Sequence, residues 1–241
     1  MIRFSNIQKS FGKLHVLKNI DLVAPAGKVT AIVGPNGSGK STIIKLLLGL
    51  VSSDSGELFI DNRKLNGDCE YRRHIGYMPQ IARFPENLTG AEALNMLRQL
   101  RSGFNSNQSV NVPFDLGPEL FKKTRTLSGG TRQKLNACVA FMFDPKILAL
   151  DEPTAGLDPI SSGELKELIR YERDCGKTII LTSHIMNELE ELADNIIFLL
   201  EGRIEFSGSM ESLLQETSAD RLERALAELM RRRSTRRLEG N

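Results

Sequence analysis

The tightest constraint on this chain is the run "GPNGSGKST" at 34–42. It stands directly after the apolar, β-branched "VTAIV" at 29–33 and directly before "IIKLLLG" at 43–49. A short buried strand, a glycine-rich loop and a helix form the arrangement in which backbone N–H groups curl inward around an anion. Gly34, Gly39, Lys40 and Ser41 satisfy G-x-x-x-x-G-K-[ST], and Gly37 adds a further glycine inside the loop. The glycines let the backbone turn where a side chain would obstruct it. In such a loop Lys40 reaches the β- and γ-phosphates as a point charge, the Ser41 hydroxyl holds Mg²⁺, and the helix N-terminus adds partial positive charge. The whole loop is a candidate nucleotide site: Gly34, Pro35, Asn36, Gly37, Ser38, Gly39, Lys40, Ser41 and Thr42.

A phosphate loop of this kind needs a second partner, a carboxylate at the end of a buried strand, to hold the metal. The run "ILALD" at 147–151 supplies it in Asp151, and Glu152 follows at once. Adjacent carboxylates at a strand end have separable roles. Asp151 is placed for the metal, and Glu152, pointing the other way, can polarise an attacking water. A glutamate there argues for hydrolysis rather than for a switch-type GTPase.

The surrounding pattern is α/β. Strands are expected at 2–6, 16–23, 29–33, 57–60, 75–78, 147–151 and 178–182, with a hairpin of 196–200 and 203–206 across Glu201 and Gly202. Helices are expected at 40–50, 160–173 and 185–193. Between them lies a mostly helical insert, with helices at 89–101, 118–123 and 130–143 and a polar loop at 103–111. Alternating strands and helices point to a largely parallel sheet. The last ~30 residues are helical in propensity and end in "LMRRRSTRRLEGN", which reads as a solvated basic tail or as one touching an anionic surface.

Composition narrows the class. The 241 residues carry 40% hydrophobic and 26% charged residues and a net charge of +2, so no global field points to nucleic acid. No apolar run approaches the ~20 residues that span a bilayer. Met1 opens directly into "IRFSNI", so no secretory signal is expected. Cys69, Cys138 and Cys175 are widely spaced and favour a cytosolic compartment without disulfides. His15, His74 and His184 lack metal-ligand spacing.

"LSGG" at 127–130 is by itself only a helix start, with Ser128 a good N-cap. Its position between the phosphate loop and "ILALDEP" gives it weight. With these motifs in this order, residues 1–210 resemble the nucleotide-binding subunits of ABC (ATP-binding cassette) proteins. The motifs that carry the resemblance are the phosphate loop, Gln80 in "YMPQ", the signature at 127–130, "ILALDEP", Gly156-Leu157-Asp158 and His184 in "TSH". The resemblance implies a P-loop NTPase fold with a mainly parallel central sheet, an N-terminal antiparallel β-subdomain and a helical insert near 88–143; the basic helical tail at 211–241 lies beyond it. It implies an ATP hydrolase that uses Mg²⁺ and works as a head-to-tail dimer. Ser128, Gly129 and Gly130 of one copy bind the γ-phosphate held by the other. Gln80 contacts Mg²⁺ and the water, His184 aligns Glu152 and the water, Asp158 crosses the interface, and Phe11 stacks on adenine. Three positions depart from the usual pattern: Thr131 where glutamine is usual, Phe11 in place of tyrosine, and Ala155 at the start of the run through Asp158.

The compact single cassette is expected to drive a separately encoded membrane permease, bound through the helical insert, at the cytoplasmic face of the inner or plasma membrane. No nucleic-acid partner is expected. The run "YMPQIARFPENL" at 77–88 looks like the cassettes of exporters used in copper-enzyme maturation for nitrous oxide reductase, with a generic efflux cassette as the alternative. A soluble assembly ATPase, such as those serving iron–sulfur scaffolds, uses an equally compact cassette.

Overall fold

The computed structural model describes residues 1–101 and 114–239, with side chains up to 233. Two sheets divide the strands. One has the order β2-β1-β4-β5 and is antiparallel throughout, built from β1 (Ile2–Phe11), β2 (Leu14–Ala24), β4 (Ser55–Ile60) and β5 (Arg63–Lys64). The other has the order β10-β9-β3-β8-β7-β6, from β3 (Val29–Val33), β6 (Ile75–Met78), β7 (Ile147–Asp151), β8 (Thr178–Thr182), β9 (Asn195–Leu200) and β10 (Arg203–Ser209). It is parallel except for β10, which returns antiparallel along β9.

The buried strands follow from their composition. Every residue of β3, β7 and β8 is buried, as continuous apolar, β-branched runs require when both faces of a sheet are covered. On one face, helix α1 (Lys40–Leu47) lies between the two sheets. Its Ile43, Ile44, Leu46 and Leu47 share a core with Ile2, Phe4 and Ile7 of β1 and with Ile32, Ala149, Ile180 and Ile197 of the large sheet. On the other face pack α3 (Gly129–Phe141), α4 (Pro159–Asp174) and α5 (Met186–Leu192), through Leu135, Leu165, Ile169 and Leu189.

Several boundaries differ from the sequence-based expectation. Helix α1 ends at Leu47 rather than at 50, because Gly49 takes a left-handed φ of 62° just beyond its cap and closes it. The insert contains α2 (Gly90–Leu100), started by a capping box in which Thr89 and Glu92 exchange hydrogen bonds. The expected helix at 118–123 is only a single tight turn, Gly117–Phe121. The expected loop at 103–111 lies outside the described residues.

The C-terminal segment folds back onto the domain. Helix α6 (Met210–Thr217) leads into α7 (Leu222–Glu239). Leu222, Ala225, Leu226 and Leu229 form an i, i+3, i+4, i+7 stripe buried in the main core. Arg233 donates to the Leu200 carbonyl at 3.2 Å and pairs with Glu201 and Glu205, and Glu190 of α5 accepts from the Leu222 amide at 2.6 Å. The reading of a wholly solvated tail therefore does not hold for 222–233; the run of arginines had masked the apolar stripe. Leu226→Ala should lower unfolding free energy by about 2–5 kcal/mol in urea denaturation. Among the described residues no helix is long and apolar enough to cross a membrane. Cys69 and Cys175 are exposed, and burial pushes the Cys138 thiol up to about 12, leaving it inert.

Candidate nucleotide site

The phosphate loop joins the end of β3 to α1, and its glycines are required by packing. A Cβ on Gly34 would stand 2.0 Å from the Leu199 carbonyl oxygen, and one on Gly39 would stand 2.6 Å from Leu17 Cδ2. Gly39 also takes a φ of 112° as the residue that opens α1. No side chain caps that helix, so its positive end is left for an anion. Among the described residues Ser38 Oγ is buried without a hydrogen-bond partner. A buried orphan hydroxyl in a glycine-rich loop that leads into an uncapped helix fits a loop built around phosphate oxygens. Lys40 Nζ donates to the carbonyls of Gly34 at 2.7 Å and Pro35 at 3.1 Å. Burial lowers the Lys40 pKa, against the opposing pull of the Glu152 and Asp151 carboxylates.

Those carboxylates stand at the end of β7. Asp151 is buried and accepts a hydrogen bond from the Thr182 hydroxyl of β8, directly opposite in the ladder. Glu152 sits in left-handed backbone at φ 50°, an uncommon conformation for a side chain of this size. Its amide is fixed by the Thr182 carbonyl at 3.0 Å and hydroxyl at 3.2 Å. Its Oε2 accepts from Gln80 Nε2 at 3.0 Å and lies 3.3 Å from His184 Nδ1. Gln80, Glu152 and His184 therefore converge from just beyond the carboxyl ends of β6, β7 and β8, three neighbouring strands. The phosphate loop leaves β3, the next strand in order. Open parallel sheets bind ligands at that edge.

Ser41, Asp151 and Gln80 offer hard oxygen donors of the kind Mg²⁺ takes. Among the described residues no group of three His, Cys, Asp or Glu stands ready to hold a metal by itself. The donor set thus suits a metal that is also bound by substrate phosphates.

Ser128, Gly129, Gly130 and Asp158 take no part in the hydrogen bonds of this cluster. Ser128 caps α3, with its Oγ 3.1 Å from the Thr131 amide and 2.8 Å from Thr131 Oγ1. Thr131 thus spends its hydroxyl on the serine. Among the described residues a Cβ on Gly129 would meet nothing within 4 Å, so none of them requires a glycine there. Asp158 caps α4, accepting from the amides of Ile160 at 3.1 Å and Ser161 at 3.0 Å. Hydrogen bonds from Ser161 hold its carboxyl below the usual range. Phe11 is 48% exposed, which rules out a core role. Sequence reasoning overlooked Thr182, whose only signal was a polar residue ending an apolar strand run.

Comparison with known proteins agrees with this geometry. The family model described as ABC transporter matches residues 17–155. The chain is 37% identical over 217 residues to the lantibiotic transport ATP-binding protein SrtF of Streptococcus pyogenes, covering 87% of this chain and 93% of the relative. It is 32% identical over 244 residues to the daunorubicin/doxorubicin resistance ATP-binding protein DrrA of Streptomyces peucetius, covering 98% of this chain and 74% of the relative. Among solved structures, an ATP-binding subunit of an ABC transporter superposes with a TM-score of 0.88 at 27% identity, covering 95% of this chain and 99% of that one. A dimeric post-hydrolysis state of an ATP-binding cassette, bound to ADP and Pi, gives 0.77 at 26% identity, covering 87% and 99%. With the phosphate loop, the two carboxylates and the signature helix all in place, the chain belongs to the ABC transporter family of ATP-binding cassettes and is an ATP hydrolase of that type.

Proposed function

We propose that this cassette powers a separately encoded membrane permease by ATP binding and hydrolysis in a head-to-tail dimer, at the cytoplasmic face of the membrane. The catalytic unit is residues 1–210, including the insert at 88–143. The observation that carries the catalytic part is the single carboxylate oxygen of Glu152 held by both Gln80 and His184 beside the phosphate loop. Gly34 to Thr42 cradle the phosphates of ATP, and Phe11 offers a face to adenine. Ser41, Gln80 and Asp151 hold Mg²⁺, which neutralises charge on the β- and γ-phosphates when bound. Glu152 takes the proton of the attacking water, and His184 and Gln80 fix its direction.

The partner copy completes the site. The open space around Gly129, at the start of α3 beside its Ser128 cap, suits a γ-phosphate brought by a second chain, and Asp158 is exposed. Ser128→Arg placed in one subunit of a mixed dimer should abolish turnover at one site only, halving Pi release or stopping it if the sites fire together. Two fully active sites would rule out the sandwich.

Coupling to a permease is supported by a hollow of about 450 Å³ beside Gln80, lined by Ile81, Arg83, Phe84, Glu86, Arg125 and Arg132. Ile81 there is 67% exposed, an apolar contact ringed by cations that suits a helix end from a membrane subunit. The relatives named for lantibiotic transport and for daunorubicin/doxorubicin resistance favour efflux as the broad class of cargo movement. The narrower copper-enzyme reading rests on the run at 77–88 alone. Affinity capture after detergent extraction, with mass spectrometry, tests the assignment. A multi-span protein lost on Ile81→Glu supports it. A soluble scaffold with no membrane protein moves the chain to the assembly-ATPase class.

A further inference from the structure

Helix α3 carries two buried amides that the nucleotide site as described leaves unused. Gln133 and Asn136 lie three residues apart on one helix face, at 5% and 3% exposure. Buried primary amides are destabilising unless their donors are met, so the partners are informative. Gln133 Nε2 donates to the Pro153 carbonyl at 3.0 Å. Asn136 Nδ2 donates to the Pro79 carbonyl at 2.8 Å and to Gln133 Oε1 at 3.4 Å.

Both acceptors adjoin the reacting groups. Pro79 directly precedes Gln80, and Pro153 directly follows Glu152. Gln80 in turn donates to Glu152 at 3.0 Å. A closed ring results: from Asn136 to Pro79, along the chain to Gln80, across to Glu152, along the chain to Pro153, and back to Gln133. The prolines stiffen it, because a fixed φ ties the direction of each neighbour to the anchored carbonyl. Glu152, in its unusual backbone conformation, is thereby held on one side by Thr182 and on the other by α3.

We propose that Gln133 and Asn136 are positioning residues for hydrolysis, which keep Gln80 and Glu152 in register with the signature helix. This inference rests on the head-to-tail reading above. The N-terminus of α3 serves the partner's nucleotide, while the middle of the same helix holds the water-activating pair of its own site. The ring is thus a mechanical route by which occupancy of one site is felt at the other. Amides that merely fill the core would influence stability but not the rate of the folded enzyme.

The test uses the full chain with Gln133→Met and Asn136→Leu, which keep side-chain size and remove the donors. In steady-state Pi release kcat should fall about 10- to 100-fold, while ATP affinity stays within about threefold. The Hill coefficient for ATP should drop toward 1. In a cycle with Gln80→Ala, the double variant should be no slower than the slower single one, since both break the same ring. An unchanged kcat in the folded protein, or fully additive losses, would overturn the proposal. Should the apolar variants fail to fold, Gln133→Asn shortens the arm by one methylene and must give the same loss of kcat. Glu152→Gln, run in parallel, separates the two readings. If that variant turns over normally, the assignment of the base is wrong. If it is dead while Gln133→Met runs at full rate, only the present inference fails.

Discussion

Glu152→Gln is expected to lower ATP turnover by roughly 10²–10⁴-fold while leaving ATP affinity within about threefold. Glutamine keeps the length of the side chain and an oxygen that Gln80 can still reach, so the shape of the site survives. The negative charge needed to draw a proton from water is lost. Removing a carboxylate beside the γ-phosphate also removes like-charge repulsion. The variant should therefore accumulate as an ATP-bound dimer, visible by size exclusion and by trapped nucleotide. Normal turnover would take Glu152 out of the proton-accepting role and leave Asp151 as the remaining carboxylate at that strand end.

Lys40→Ala should weaken ATP binding by about 100-fold or more, as read by titration calorimetry. Charge-assisted hydrogen bonds contribute about 1.5–3 kcal/mol each, and about 1.4 kcal/mol is a tenfold change in affinity. A second cause is local. Lys40 Nζ bridges the carbonyls of Gly34 and Pro35, so alanine also leaves the two ends of the loop untied. Lys40→Met, which keeps the aliphatic stem, should lose nearly as much affinity. Retained affinity in both variants would mean that nucleotide binds elsewhere.

How much of this was legible in the sequence follows from the range of each interaction. The phosphate loop is local: strand, turn and helix are adjacent, and Gly34 and Gly39 announce conformations that only close backbone approach requires. Asp151 was readable for the same reason, as a charge ending an apolar run. The meeting of Gln80 and His184 on one oxygen of Glu152 was not. It depends on β6, β7 and β8 being neighbours in the sheet, which no local pattern encodes, and it became an expectation only through the family resemblance. The opposite failure occurred in α7. The stripe at 222, 225, 226 and 229 was present in plain spacing, but six arginines from 224 onward suggested a solvated surface. Arg224 and Arg231 are exposed at other positions of the same helix.

The strand order has a consequence for how the protein is made. β3, which carries the phosphate loop, pairs Ala31 with Leu181 on one side and with Ile196 on the other. Both neighbours are about 150 residues or more downstream, so during synthesis the first strand of the large sheet has no lateral partner until most of the chain has been translated. Its two open edges, continuous and apolar, are exposed for that interval. Such long-range pairing slows folding and leaves the nascent chain dependent on protection from aggregation. The phosphate loop therefore gains its framework only once β8 and β9 have been made, and fragments that stop short of β9 hold the complete loop sequence without both strands that flank β3.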